Sequence, residues 1–399
     1  MKKIVQINSV CNGSTGKIMS DIAKKAQELG HQTYCFFGRG NPKKDINCIK
    51  IETKFEFLLH ALIARLGFNG RGSFLATKRL VKKLKKINPD VIHLHNIHGY
   101  YINLKVLFNY LKKEYRGKII WTLHDCWTFT GHCAYFTISK CEKWKTNCKK
   151  CPNLKAYPRE IIDRTKKEYK LKKELFTGLN NITIITPSKW LMGLVKESFL
   201  KDYEIKVVNN GINLDIFKPT YDEKIYEKYN IPKDKKIILG VANVWEERKG
   251  LNDFIKLSKK IDEKKYQIVL VGTNKKIDSL IPKKIISINR TDNQIELAKI
   301  YSISTILFNP TYEDNYPTIN LEAQACGLPV LTYKTGGCPE QVPVNNIVKK
   351  NTNDIMKKIN EKLECKILKN NSEQFINKYL EEYEKWEYYF LQKYPHHIE

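Results

Sequence analysis

An α/β fold of two parallel-sheet halves follows from three features of the sequence. Short apolar runs alternate with amphipathic helical stretches, a polar segment rich in Pro, Tyr, Lys and Asp interrupts them between Lys218 and Lys236, and the alternation then restarts. At 399 residues the chain is also too long for one ordinary core, with ~200 residues per domain as the expectation. In the first half, Lys3 to Ile7 reads as a strand, followed by a Gly-containing loop and a helix from Lys17 to Leu29 that Gly30 stops. Thr33 to Phe37 is the next strand. A helix from Phe74 to Lys86 leads through Pro89 to the strand Val91 to Leu94, and a helix from Leu104 to Glu114 leads to Ile119 to Leu123. Ile182 to Thr186 and Lys206 to Val208 continue the series. Beyond the interruption the strands are Ile237 to Val241, Gln267 to Val271, Thr305 to Phe308 and Pro329 to Thr332, and a long helix from Gln374 to Tyr394 carries many aromatics on one side. Strands separated by helices pair in parallel, and such sheets bind ligands where loops leave the carboxyl ends of the strands.

Composition narrows the function. Hydrophobic residues are 42% and charged residues 28% of the chain, as in a folded enzyme rather than a disordered or fibrous protein. The net charge is +28, yet only 9 of the 70 basic residues are Arg. Base readers of DNA favour the planar Arg fork, so the excess reads as a surface field. The most apolar stretch, Phe57 to Phe68, contains His60 and Arg65 and falls short of the ~20 residues a span requires. The start, Met1-Lys2-Lys3 and a short apolar run, reads as strand and loop rather than a signal peptide. A reduced, cytoplasmic setting is expected, with the eleven cysteines as free thiols or metal ligands.

The segment Asn12 to Lys17 follows the first strand and offers glycines and amides for close approach of a substrate. It falls short of a P-loop, because Cys11 occupies the first Gly position and Ile18 follows Lys17. Between Thr311 and Pro329, a strand ends at Asn309-Pro310 and a helix begins near Pro317, the preferred first-turn proline. Its start presents the amides of Thr318, Ile319 and Asn320 to an anion. Asp314 lies in the preceding loop, and Glu322 lies about one turn inside the helix. Cys126, Cys133, Cys141, Cys148 and Cys151 crowd one segment. Its Lys, Asn and Pro content, with few apolar residues, calls for a staple. Cys133, Cys141, Cys148 and Cys151 are therefore either the ligands of a structural zinc or reduced thiols of a loop.

Asp314 and Glu322, with seven residues between them, resemble the acid-x7-Glu signature of retaining glycosyltransferases of family 4, with Glu313 one place early as the other candidate for the first acid. Three further segments match that family in order. These are Gly240 to Gly250, similar to its diphosphate-binding stretch with Asn243 in place of an Arg, Asn210 to Pro219, and Thr186 to Trp190. The Gly336-Gly337 turn followed by Pro339-Glu340 continues the pattern.

The resemblance implies the GT-B fold, two Rossmann-like domains with parallel sheets facing a cleft. Residues 1–218 would bind the acceptor and carry a Cys-rich insertion at 126–151, residues 219–373 would bind a nucleotide sugar, and 374–399 would form a helix crossing back. It implies a retaining transferase acting on a glycan or lipid-linked acceptor in surface polysaccharide biosynthesis, of the capsule or lipopolysaccharide kind. In that scheme Glu322 takes the ribose hydroxyls, Arg248 and Lys249 the diphosphate, and Asp314 the donor sugar. Asn243, Arg290, Asn315, Tyr316, Pro317 and the helix start at Thr318, Ile319 and Asn320 complete the donor set. His124 contacts donor or acceptor sugar, and Gly13, Ser14, Thr15, Gly16 and Asp125 form the acceptor-side loops, with His132 a further candidate. His124, Asp314, Arg248 and Lys249 are the catalytic group, no metal is required for catalysis, and no protein base is assigned. Two alternatives accompany this scheme: a GT-B epimerase or hydrolase of nucleotide sugars, and a basic nucleic-acid-binding protein that the Arg-poor composition disfavours. Lys78, Arg79, Lys82, Lys83, Lys85 and Lys86 on one helix, just after the apolar stretch, suggest peripheral attachment at the inner face of the cytoplasmic membrane.

Overall fold

The computed structural model describes residues 1–366 and 372–393. Two compact units divide it, one of residues 1–209 with the chain from Ile376 onward, the other Asn210–Phe375. The expected boundary at residue 218 lies inside the second unit. Ile212 and Phe217 are buried in that unit's core, Phe217 against Tyr301 at 6.4 Å between ring centroids, and Asn210 donates to the Tyr316 carbonyl at 3.2 Å.

The first unit contains strands β1 (Lys3–Val10), β2 (Gln32–Arg39), β3 (Cys48–Lys50), β4 (Val91–Leu94), β5 (Lys118–Thr122), β6 (Ile182–Thr186) and β7 (Glu204–Val207). They form one sheet in the order β3-β2-β1-β4-β5-β6-β7, with every pair parallel. Its helices are α1 (Gly13–Glu28), α2 (Lys54–Arg65), α3 (Phe74–Ile87), α4 (Leu104–Lys113), α5 (Thr165–Phe176) and α6 (Lys189–Lys196). Strand order reverses between β1 and β4, so the loops after these two strands lie at the switch point. The Gly13 to Gly16 segment is not a loop: it is the first turn of α1. A Cβ on Gly16 would lie 2.5 Å from the Cys11 carbonyl carbon, so the helix packs directly on the strand end.

The second unit repeats the plan with β8 (Lys236–Val241), β9 (Tyr266–Val271), β10 (Ile286–Ile288), β11 (Ile306–Asn309), β12 (Val330–Tyr333) and β13 (Ile347–Val348), in the order β10-β9-β8-β11-β12-β13, again all parallel. Its helices are α7 (Lys224–Lys228), α8 (Leu251–Ser258), α9 (Lys275–Asp278), α10 (Gln294–Ile303), α11 (Thr318–Ala325) and α12 (Thr352–Asn360). Alternate strand residues serve two cores. Ile237, Leu239, Val269 and Leu307 belong to one, while Ile238, Ile268, Leu270 and Phe308 belong to the other. Because both faces are covered, consecutive residues of the central strands are apolar.

The closing helix, α13 (Ser372–Lys393), leaves the second unit after Phe375. Tyr394, which the sequence places in this helix, lies outside the described residues. Ile376, Tyr379, Leu380 and Tyr383 are buried, one stripe at helical spacing. The stripe is anchored by polar contacts to the first unit: Tyr383 Oη with His93 Nδ1 (2.6 Å), Thr122 Oγ1 to Tyr379 Oη (3.3 Å) and Lys206 Nζ with Glu382 (2.6 Å).

Candidate active site

The strand order of the second sheet reverses between β8 and β11, which brings the loops after them together. After β8 the chain makes a 3₁₀ turn over residues 247–249 and enters α8 through Gly250, at φ +75°. A Cβ there would stand 2.3 Å from the Pro310 carbonyl oxygen, so the two loops meet at a point only glycine permits. The Arg248 carbonyl accepts from the Tyr312 amide (2.7 Å) and the Thr311 hydroxyl (3.2 Å). Its guanidinium donates to the Glu313 carbonyl (3.2 Å) and reaches the Glu246 carboxylate at 3.5 Å. Lys249 Nζ pairs with Asp314 Oδ2 at 2.5 Å, with both side chains mostly buried, and Asp314 Oδ1 accepts the Asn315 amide at 3.0 Å. Of the two adjacent acids, Asp314 is thus the one paired with Lys249, whereas Glu313 presents its carbonyl to Arg248.

Pro317 is the N-cap of α11 rather than its first helical residue. The Asn320 amide donates to the Pro317 carbonyl (3.3 Å), which leaves the amides of Thr318 and Ile319 at the helix start instead of the three expected. The Asn320 side chain is fully buried. Its carbonyl accepts from Asn309 (2.9 Å) and its amide donates to Gln341 (3.0 Å), while Gln341 also donates to the Pro317 carbonyl (3.0 Å). Asn320 therefore fixes the helix start from beneath. Glu322 is buried and accepts from the Tyr301 hydroxyl at 3.1 Å, and Asn315 and Tyr316 are buried too. Burial pushes the Tyr316 hydroxyl up to about 12. Asn243 is exposed in the loop after β8. Arg290 is exposed just past β10, the outermost strand, two strands away from β8. Tyr301, Asn309 and Gln341 carry no motif; only their contacts reveal them.

In the first unit, β5 ends at Thr122 and delivers His124 and Asp125 beside the end of β4. His124 Nε2 lies 3.3 Å from His95 Nδ1 with the rings stacked, and His95 Nε2 meets Gln6 Oε1 at 3.0 Å. The Asp125 carboxylate is engaged by His98 Nε2 (2.9 Å) and the Trp127 amide (2.9 Å). Burial works to raise the Asp125 pKa, but His98 and these hydrogen bonds outweigh it and hold the carboxyl below its usual range. Asp125 thus orients the loop and His98. His95 and His98 are absent from the sequence-based site, although three histidines within the six residues His93-Leu94-His95-Asn96-Ile97-His98 mark them. Ser14 is exposed in the first turn of α1, and Thr15 Oγ1 accepts from the Asn8 amide at 3.2 Å. His132 is buried and pairs with Glu160 at 3.1 Å, away from any open surface.

Burial lowers His60 and His124 to about 4 and also holds His93 and His95 well below the usual imidazole range. These imidazoles are neutral when folded, and the unfolded chain binds their protons first, so stability falls as pH drops from about 6.5 towards 4. Each of the first two costs on the order of 3 kcal/mol by the end of that window. Burial also raises Glu52, to about 7, and Asp21 and Glu168, which act in the opposite direction. Carboxyls held below their usual range, such as Asp125 and Asp163, act with the histidines. Calorimetry across this range should show Tm falling with acidification, and a flat or rising Tm would contradict the assignment.

Contrary to the staple expected from its composition, the Cys-rich insertion packs its aromatics into the core of the first unit. Trp144 stacks on Phe136 (4.9 Å) and meets Phe129 (5.3 Å), and buried Lys172 donates to the carbonyls of Trp127 (2.7 Å) and Thr130 (3.1 Å). Cys133 hydrogen-bonds Cys151, which drives the Cys133 thiol well up and the Cys151 thiol down to about 7. The Cys148 sulfur accepts the Gly131 amide at 3.1 Å, and Cys141 packs against the apolar core. Among the described residues no group of three or more His, Cys, Asp or Glu side chains is arranged to hold a metal ion. These four sulfurs, as placed, do not make the tetrahedral set zinc requires, and no chemistry below runs through a metal.

Comparisons with known proteins agree with this architecture. The family model for glycosyltransferase family 4 matches residues 15–216, and that for glycosyl transferases group 1 matches residues 222–380. WcaC of Escherichia coli (strain K12), whose name assigns it to colanic acid biosynthesis as a glycosyl transferase, is 26% identical over 358 residues, 84% of each chain. Among solved structures, sucrose-phosphate synthase from Thermosynechococcus elongatus superposes with a TM-score of 0.67 at 14% identity, over 99% of this chain and 100% of its own. Anabaena HepE, solved in complex with UDP-glucose, gives 0.62 at 14% identity over 90% and 89%. With two parallel-sheet units of the GT-B type and a family model matching residues 15–216, half of the chain, the chain belongs to glycosyltransferase family 4.

Proposed function

We propose that this glycosyltransferase transfers a sugar, with retention, from a nucleotide sugar held by the second unit to a glycan or lipid-linked acceptor held by the first, in surface polysaccharide synthesis on the cytoplasmic side of the membrane. The observation that carries the proposal is the clustering of Arg248, Lys249 and Asp314 at the β8/β11 switch point, next to α11 with its Glu322. An arriving diphosphate competes with Asp314 for Lys249, and Arg248 adds a second positive charge. Asp314 is then released towards the sugar hydroxyls, and the Thr318 and Ile319 amides receive phosphate or sugar oxygens. Glu322 accepts from the ribose hydroxyls. As the bond from the sugar's anomeric carbon to the diphosphate breaks, the two cations stabilise the departing charge. The acceptor hydroxyl adds on the same face and its proton passes to the leaving phosphate oxygen. Neutral His124 supplies an uncharged hydrogen-bonding partner to a sugar hydroxyl. The names of WcaC and of the HepE complex support a polysaccharide pathway and a UDP-sugar respectively.

The test is product analysis with labelled nucleotide sugars. Nucleoside diphosphate release should depend on acceptor, and NMR of the product should show the donor's anomeric configuration. An inverted linkage overturns retention. Acceptor-independent formation of free or epimerised sugar favours the epimerase or hydrolase alternative.

A further inference from the structure

A neutral imidazole donates from one nitrogen and accepts at the other, and its partners decide which nitrogen does which. His124 stands at the end of a chain of such partners that starts from a backbone carbonyl. Gln6 lies in β1 and is fully buried, and its side-chain nitrogen donates to the Met19 carbonyl of α1 at 2.9 Å. A carbonyl only accepts, so the Gln6 nitrogen must face Met19 and its oxygen must face the other way. That oxygen lies 3.0 Å from His95 Nε2. It too only accepts, so His95 carries its proton on Nε2.

The next link follows from burial. His95 is 1% exposed, and burial together with the neighbouring His93 and His124 keeps its ring neutral, which leaves the lone pair on Nδ1. Nδ1 lies 3.3 Å from His124 Nε2. The two ring planes are 15° apart and their centroids 5.6 Å apart, which keeps this contact close to both planes, where a lone pair and an N–H lie. His95 Nδ1 therefore accepts and His124, neutral as well, donates from Nε2 and keeps its lone pair on Nδ1. His93, whose ring lies 4.0 Å from that of His95, does not compete. Its two nitrogens are engaged by Thr122 Oγ1 (2.8 Å) and Tyr383 Oη (2.6 Å).

We infer that Gln6 and His95 are positioning residues that hold His124 in the Nε2–H tautomer, so that its Nδ1 accepts a hydrogen bond from a hydroxyl or amide N–H of the sugar substrate. In this form His124 Nδ1 has no proton to give to a substrate oxygen, so the relay selects a donating group at that place. The substrate part rests on the transfer reading, whereas the tautomers are measured on the full chain without donor or acceptor. The experiment is long-range proton–nitrogen correlation NMR near neutral pH on the chain labelled at histidine, assigned with the single variants His95→Asn and His124→Asn. Both rings of the natural chain should be neutral with the proton on Nε2. Gln6→Met keeps the volume but offers His95 no acceptor oxygen, so both rings should then populate the Nδ1–H form. In the same variant kcat/KM for transfer of labelled sugar should fall about tenfold, the effect of about one hydrogen bond, with nucleoside diphosphate affinity unchanged. A proton on Nδ1 of either ring in the natural chain overturns the inference. So does a Gln6→Met chain in which both rings keep the natural tautomer, or one with altered tautomers that transfers at the natural rate. The expected tautomers in a natural chain that transfers no sugar would support the relay and count against the transfer reading instead.

Discussion

Replacing Arg248 and Lys249 together by alanine is expected to lower kcat by at least about 100-fold, the effect of one lost preorganised charge contact of ~3 kcal/mol. The structure makes the experiment interpretable. The Arg248 backbone, not its side chain, receives Tyr312 and Thr311, so the loop contact survives the substitution. Loss of Lys249 alone leaves the mostly buried Asp314 carboxylate without its ammonium, which costs stability as well as activity. Combining Lys249→Ala with Asp314→Asn removes both charges and separates the two effects. If folding were the only role of the pair, this combination would recover turnover. The transfer mechanism predicts that it stays impaired, and normal kcat in the Arg248 and Lys249 double variant would place the diphosphate elsewhere.

Glu322→Gln should weaken donor binding by about 10- to 100-fold, since a hydrogen bond to a charged acceptor contributes roughly 1.5–3 kcal/mol. The amide keeps the shape and can still accept from the Tyr301 hydroxyl, so Tm should change little. Tyr301→Phe provides the control. Removing that hydroxyl frees a carboxylate oxygen without removing the charge, and should alter donor Kd less than Glu322→Gln does. Paired titrations of the two variants with the same nucleotide sugar check this. Equal affinity for the Glu322→Gln and natural chains would exclude a ribose role for the carboxylate.

Strands such as Val91–Leu94 and Ile182–Thr186 were legible because both faces of a parallel sheet are covered, which makes the run apolar without alternation. The edges were harder: β3 has three residues and β13 two, too short to leave a pattern. Helix α2 escaped detection as a helix because its apolar residues, at 55, 57, 58, 59, 61, 62, 63 and 64, surround it too evenly to leave one helical stripe. The boundary between the units falls at 209 rather than 218 because Ile212 and Phe217 belong to the second unit's core, Phe217 against Tyr301, a partner far away in sequence. At the site, the Lys249, Asp314 and Glu322 positions were legible as motif residues. What holds Asn320 was not legible: its backbone amide donates to the Pro317 carbonyl, and its side chain is engaged by Asn309 and Gln341. Sequence periodicity carries no information on such long-range hydrogen bonds. Similarly, the cysteine spacing suggested a metal, while the aromatic packing of Trp144 with Phe129 and Phe136 that orders the insertion depends on contacts across the loop.

The central claim is that the second unit's β8/β11 loops and α11 hold the nucleotide diphosphate of a sugar donor. Isothermal titration of the whole chain with a panel of nucleoside diphosphates, free and sugar-linked, tests it most directly. The predicted result is saturable binding of one nucleotide class at one site per chain, weakened at least about tenfold by Glu322→Gln and by Lys249→Ala combined with Asp314→Asn. Absence of binding by every nucleotide, or binding that both changes leave untouched, would contradict it.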